Sequence, residues 1–233
     1  MNRFVKYALS VILSLSLVVF SQPAAAELVG RAQVGYGTAT YDILGSGKLE
    51  TQDVSGRLSF YYPYEDLLFT GLFQYSRSLK DMNISRNLGQ VAANYLFLEQ
   101  DILRVYGGLG YQFLYNRFEN ANINGGKATA LSGRNFVGQA VIQIDLVEGF
   151  QAAATVTGSP WINWTIHQDN TTDSNVDSGI SFLYQVDLSY DLKDDLGVQL
   201  GISGTTFSVP NYKGMGTSSA GSTEVHLGVT KKF

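Results

Sequence analysis

The chain of 233 residues contains no cysteine, which removes both a disulfide framework and the acylated cysteine that anchors a lipoprotein. Long apolar runs are also missing: no stretch reaches the roughly 20 residues that a helix needs to cross hydrocarbon. There is no excess of basic charge, with 16 Lys and Arg against 20 Asp and Glu, so no nucleic acid partner is expected. Histidine is scarce, at two residues, which leaves little material for acid–base chemistry near neutral pH. Linkers, heptads, low-complexity tracts and the three-to-four-residue apolar spacing of amphipathic helices are absent as well.

The N-terminal segment has the three parts of a secretory signal peptide. Arg3 and Lys6 precede an apolar or Ser-containing stretch from residue 8 to 20, and Ala24, Ala25 and Ala26 offer a small-residue cleavage site before Glu27. The reading is a leader over 1–26 and one domain over 27–233. Without Arg3 and Lys6 the rest carries 14 basic residues and a net charge of −6.

From Leu28 onward the pattern alternates with a period of two, the signature of strands buried on one face. In the clearest case Leu103, Val105, Leu109, Tyr111, Phe113 and Tyr115 face one way, with Arg104, Gln112 and Asn116 opposite. Another places Phe136, Ala140, Ile142 and Ile144 against Asn135, Gln139 and Gln143. About ten such strands are expected, with eight or twelve also compatible. Tight connections at 63–66, 99–101, 147–149 and 193–195 alternate with longer ones at 38–52, 117–133, 166–179 and 205–222, and a shorter one at 79–85. Short turns on one side and long loops on the other are expected of a membrane barrel. A soluble barrel would carry Lys, Glu, Arg and Asp along its polar face. Here that face is mainly Gln, Asn, Ser, Thr and Gly, and aromatics gather toward strand ends, as in the headgroup belts of membrane barrels.

The last segment alternates Val225, Leu227 and Val229 against Glu224, His226 and Thr230, and stops on Phe233. With the leader, this terminal strand makes the chain resemble the bacterial outer-membrane β-barrel superfamily along 27–233. The resemblance implies an all-β, transmembrane, antiparallel up-and-down barrel in the outer membrane. It also implies contact with outer-membrane lipid and lipopolysaccharide, and insertion by the assembly machinery that reads the strand ending in Phe233. Lys231, on the apolar face, departs from the usual pattern, and its stem can snorkel at the interface.

The expected function is non-enzymatic: a structural or narrow solute-passing barrel whose loops meet the environment. About ten strands leave a lumen nearly filled by side chains. Arg31, Arg57, Arg104, Asp145, Asp187, Glu224 and His226 face inward on the alternation and are the candidate lumen-lining ion-pair network. Arg57 and Glu224 fall on the two strands that flank the first, with backbones about 10 Å apart by strand spacing. Neither a cofactor nor a metal centre is expected.

Three other readings carry less. The omptin proteases are outer-membrane barrels with a His–Asp pair and further acidic residues in facing loops; here His167–Asp169 and Asp81–Asn83 echo that set with reversed order and one carboxylate replaced. Asp169, Asp173, Asn175 and Asp177 resemble the start of a calcium loop, but Gly179 is misplaced and Tyr184 stands where a bidentate Glu is needed. The rim hydrolase could equally be a lipid-modifying enzyme, for which no diagnostic Ser–His or His–Asp–Ser set is found, and a loop-borne adhesin is the third.

Overall fold

The computed structural model describes residues 27–79, 83–119, 128–147, 149–168, 171–173, 176, 178–193, 195–210, 214 and 216–233. Ten long strands build it: β1 (Val29–Asp42), β2 (Lys48–Tyr64), β3 (Leu67–Ser78), β4 (Ile84–Gln100), β5 (Leu103–Phe118), β6 (Thr129–Val147), β7 (Phe150–Gln168), β9 (Gly179–Asp191), β10 (Leu196–Val209) and β11 (Ser218–Lys232). The three-residue β8 (Thr171–Asp173) only extends the outer end of β7. Each long strand pairs antiparallel with its neighbour in sequence, and β1 pairs with β11 from Val29↔Lys232 to Asp42↔Ser219, so the sheet closes. The result is the ten-stranded up-and-down barrel that the alternation predicts.

The tight connections share one end, together with the Val29↔Lys232 pair. Each of the four places one residue in the left-handed region: Glu65, Asp101, Gly149 and Asp195. Only Gly149 adopts it without a Cβ clash. Glu65→Gly should therefore raise stability by up to about 1 kcal/mol. Urea unfolding of the refolded barrel checks this, and an unchanged or lower midpoint would show that the turn is not strained.

The strands are longer than expected at the other end. Parts of the segments at 38–52, 117–133, 166–179, 205–222 and 79–85, read as loops, are strand among the described residues: β1 continues to Asp42 and β2 begins at Lys48, β6 begins at Thr129, and β7 runs to Gln168. The misreading has a physical cause. Above about the level of Tyr36 and Tyr115 the alternation persists but inverts, with Ala39, Tyr41 and Ile43 buried and Thr38, Thr40 and Asp42 turned outward. Thr- and Ser-rich stretches with inward apolar residues do not look like a lipid-facing strand. They look like a soluble one. An outer-membrane strand needs only about 9–11 residues to cross, whereas β6 and β7 have 19 each, so the surplus forms a collar above the apolar band.

That outer band carries Val34, Leu58, Leu109, Phe136, Val186 and Leu227, all strongly exposed and none charged. Aromatic pairs mark its two edges: Phe150–Tyr190 (4.4 Å) and Tyr95–Phe97 (5.8 Å) at the tight-turn edge, Tyr111–Phe136 (5.5 Å) and Phe182–Tyr184 (6.4 Å) at the other. Phe233 lies at the tight-turn edge, where its ring approaches Gly30 and its backbone N–H donates to Leu28 O (2.9 Å).

Candidate functional site

The interior is stratified along the barrel axis. At the tight-turn end Tyr61, Leu68, Tyr106 and Val141 form a small apolar layer. In the collar a larger apolar cluster closes the opposite end: Tyr41 meets Phe118 edge-on across the lumen (5.3 Å), Trp164 packs on Phe207 (4.9 Å), and Ile43 and Leu44 at the β1–β2 tip fold over them. Leu44 N–H is fixed by Ser218 Oγ (2.8 Å). Polar side chains occupy the space between.

Arg57 is the centre of the polar layer, with a fully buried side chain. It donates to Gln185 Oε1 (2.8 Å), to Glu224 Oε1 (3.3 Å) and to Ser203 Oγ, and lies 3.4 Å from His226 Nδ1. Glu224 accepts further from Gln74 Nε2 (2.9 Å) and Ser203 Oγ (3.2 Å). Asp187 pairs with His226 Nε2 (2.8 Å) and Arg31 Nη1 (3.4 Å), and the Arg31 guanidinium stacks 4.2 Å above the Tyr61 ring. Two arginines thus face two carboxylates, so the layer is neutral when His226 is neutral. Burying charge in this way is tolerable only because each ion has an opposite partner and hydrogen bonds besides. Gly201 makes the space: a Cβ there would sit 2.3 Å from both Asp187 Oδ1 and His226 Nε2.

Amides and hydroxyls fill the other half of the layer. Gln139 accepts from Thr70 Oγ1 (2.7 Å) and Asn94 Nδ2 (2.9 Å) and donates to Thr157 Oγ1 (3.1 Å), while Ser181 donates to Gln112 Oε1 (3.1 Å). Thr70–Gln139, Arg57–Gln185 and Ser181–Gln112 join strands that are not neighbours in the sheet. These bonds span the lumen. The cavity left between Ser59, Thr70, Gln139 and Gln185 measures about 20 Å³, room for about one water.

Of the residues singled out from sequence, Arg31, Arg57, Asp187, Glu224 and His226 come together in this layer. Arg104 and Asp145 pair with each other at 2.7 Å, but at the tight-turn rim, where both are partly exposed. Sequence reasoning missed the uncharged partners Gln74, Gln185 and Ser203, although their inward parity was readable. It also missed a second buried pair beneath the collar, where Asp53 accepts from Arg86 Nη2 (2.9 Å), Thr51 Oγ1 (2.6 Å) and Tyr41 OH (3.3 Å). Arg86 lay beside a segment read as loop.

At the outer rim His167 Nδ1 lies 3.1 Å from Thr172 Oγ1. Asp81, Asp169, Asn175 and Asp177 lie outside the described residues, as does the side chain of Asp173. Among the described residues no group of three or more His, Cys, Asp or Glu side chains could hold a metal ion. In the exposed start of β2, Lys48 bonds Glu50 (2.8 Å); that hydrogen bond holds the Glu50 carboxyl below its ordinary range and raises the Lys48 amine.

No protein-family model matches the chain, and no curated protein does. Solved structures do match. The outer membrane protease OmpT from Escherichia coli superposes with a TM-score of 0.54 at 10% identity, covering 91% of this chain and 98% of that one. The translocator domain of the autotransporter NalP from Neisseria meningitidis gives 0.47 at 12%, with 99% and 96% covered, and the neisserial surface protein A gives 0.43 at 15%, with 90% and 99%. Its structural neighbours are bacterial outer-membrane β-barrels. At 10% identity the likeness to the protease concerns the fold alone.

Proposed function

We propose that this chain is a non-enzymatic, non-conducting barrel of the bacterial outer membrane, a structural element that holds a rigid collar and its loops above the lipid. The supporting observation is the cross-lumen network beneath the apolar collar cluster, with a cavity of about 20 Å³ between Ser59, Thr70, Gln139 and Gln185. A hydrated ion needs a continuous polar path. Here the collar end is lined with apolar side chains, Tyr61, Leu68, Tyr106 and Val141 stand on one side of the tight-turn end, and the middle is bridged by Arg57–Gln185 and Thr70–Gln139. On this reading β11, ending near Phe233, is the part the assembly machinery recognises, and the apolar band meets outer-membrane lipid.

Recording in planar bilayers tests it. The wild-type barrel is expected to give no conductance steps, and Gln139→Ala none either, because the apolar collar cluster remains. Reproducible single-channel steps from the wild type would overturn the sealed-barrel reading and return the chain to the solute-passing class. A rim enzyme would show instead as peptide or lipid hydrolysis that is lost in His167→Ala.

A further inference from the structure

Part of what closes the outer end of the lumen is a turn. Residues 43–47 join β1 to β2, and there Ile43 and Leu44 are buried in the collar cluster while Gly45 and Gly47 stay exposed. Leu44 holds φ at 52°, in the left-handed region that a Cβ disfavours, so the turn itself gives no reason for a leucine. Gly45 (φ 70°) and Gly47 (φ 82°) follow it, and a Cβ at Gly47 would meet no atom within 4 Å. Ser46 closes the turn on itself, donating to Ile43 O from its N–H (3.0 Å) and its Oγ (2.6 Å). Leu44 N–H ties the tip to β11 by donating to Ser218 Oγ (2.8 Å). The tip is thus a self-contained turn, hinged on exposed glycines and held down by Ile43, Leu44 and that bond.

Beneath it the wall is aromatic, with its polar atoms engaged. Tyr41 and Phe118 form one ring pair, Trp164 and Phe207 another, and Leu131 and Ile166 belong to the same cluster. Tyr41 OH donates to Asp53 Oδ2 (3.3 Å) and Trp164 Nε1 to Ser208 O (3.0 Å), which leaves hydrocarbon to face Ile43 and Leu44. Withdrawing side chains of that size uncovers on the order of 150 Å³, an apolar volume that stays dry and takes a benzene-sized guest.

We propose that the β1–β2 tip is a displaceable lid, and that the collar beneath it binds a small apolar molecule without hydrogen-bonding groups in place of Ile43 and Leu44. Strain at Leu44 favours the exchange, because it is relieved when the tip lifts. A guest with a hydroxyl is disfavoured, since the engaged Tyr41 and Trp164 leave it without a partner. The Arg57 layer lies below and stays in place, so this test and the conductance test fail independently.

Trp164 reports on the chamber, and Trp161→Phe removes the other tryptophan of the chain. In that background the full chain, refolded in lipid vesicles, is titrated with bromobenzene and with 4-bromophenol, and quenching of Trp164 is plotted against free aqueous concentration. Saturable quenching by bromobenzene is expected, at a half-saturation point about tenfold or more below that of 4-bromophenol, the effect of burying an unpaired hydroxyl. Ser218→Ala, which frees the tip, should tighten bromobenzene binding about threefold, and Leu44→Gly, which removes both plug and strain, about tenfold. Heat-modified gel mobility verifies that each variant is folded. No saturable quenching in any of these proteins overturns the site. Binding that appears only in Leu44→Gly means a fixed plug and overturns the lid, as does an affinity that neither variant changes. Equal half-saturation points for the two probes overturn the apolar class of guest.

Discussion

Arg57→Ala will lower the unfolding free energy of the barrel by about 3–5 kcal/mol, the penalty for leaving a buried counter-charge unpaired. The effect is large because Arg57 is fully buried and serves Glu224, Gln185 and Ser203 at once, bridging strands on opposite sides of the lumen. Removing it leaves Glu224 without its cation, with Gln74 and Ser203 still donating. The double variant Arg57→Met with Glu224→Gln should recover most of the loss, because a neutral amide no longer needs a cation. Urea unfolding in lipid vesicles measures all three proteins. If the double variant is as unstable as Arg57→Ala, the loss comes from packing volume and not from unpaired charge.

The second large effect concerns the outer wall. Leu109→Arg, in the middle of the apolar band where the side chain is 75% exposed, should cost about 2–4 kcal/mol in a bilayer, as expected for a cation at the midplane. Thr40→Arg, on the outward face of the collar in the same barrel, should change stability by no more than about 0.5 kcal/mol. Both sites are outward-facing, so the contrast isolates the solvent they meet. Equal costs at the two positions would mean that hydrocarbon reaches the collar, and would remove the collar's separate identity.

Much of this architecture was legible in the chain because a strand in a two-solvent barrel must alternate. Lipid outside and polar side chains inside impose opposite chemistry on successive residues, so Val225, Leu227 and Val229 against Glu224, His226 and Thr230 suffice to place β11. Parity also told which charges point inward. The collar escaped because the same period of two returns there with its sign reversed: Ala39 and Tyr41 inward with Thr38 and Thr40 outward reads as a polar loop to anyone looking for lipid-facing residues.

By itself, then, the sequence determined the class, the strand number to within two, the end at which the tight turns gather, and the inward set that includes Arg57, Asp187 and Glu224. It determined these because periodicity and turn chemistry are local properties. Tertiary structure alone decided which inward residues meet. Arg57–Gln185 and Thr70–Gln139 join strands far apart in sequence order, and their meeting depends on the closure of the sheet and on register, which no single strand encodes. It also decided that an apolar cluster bounds the lumen at the collar end, because burial at a given height depends on how far all ten strands extend above the lipid.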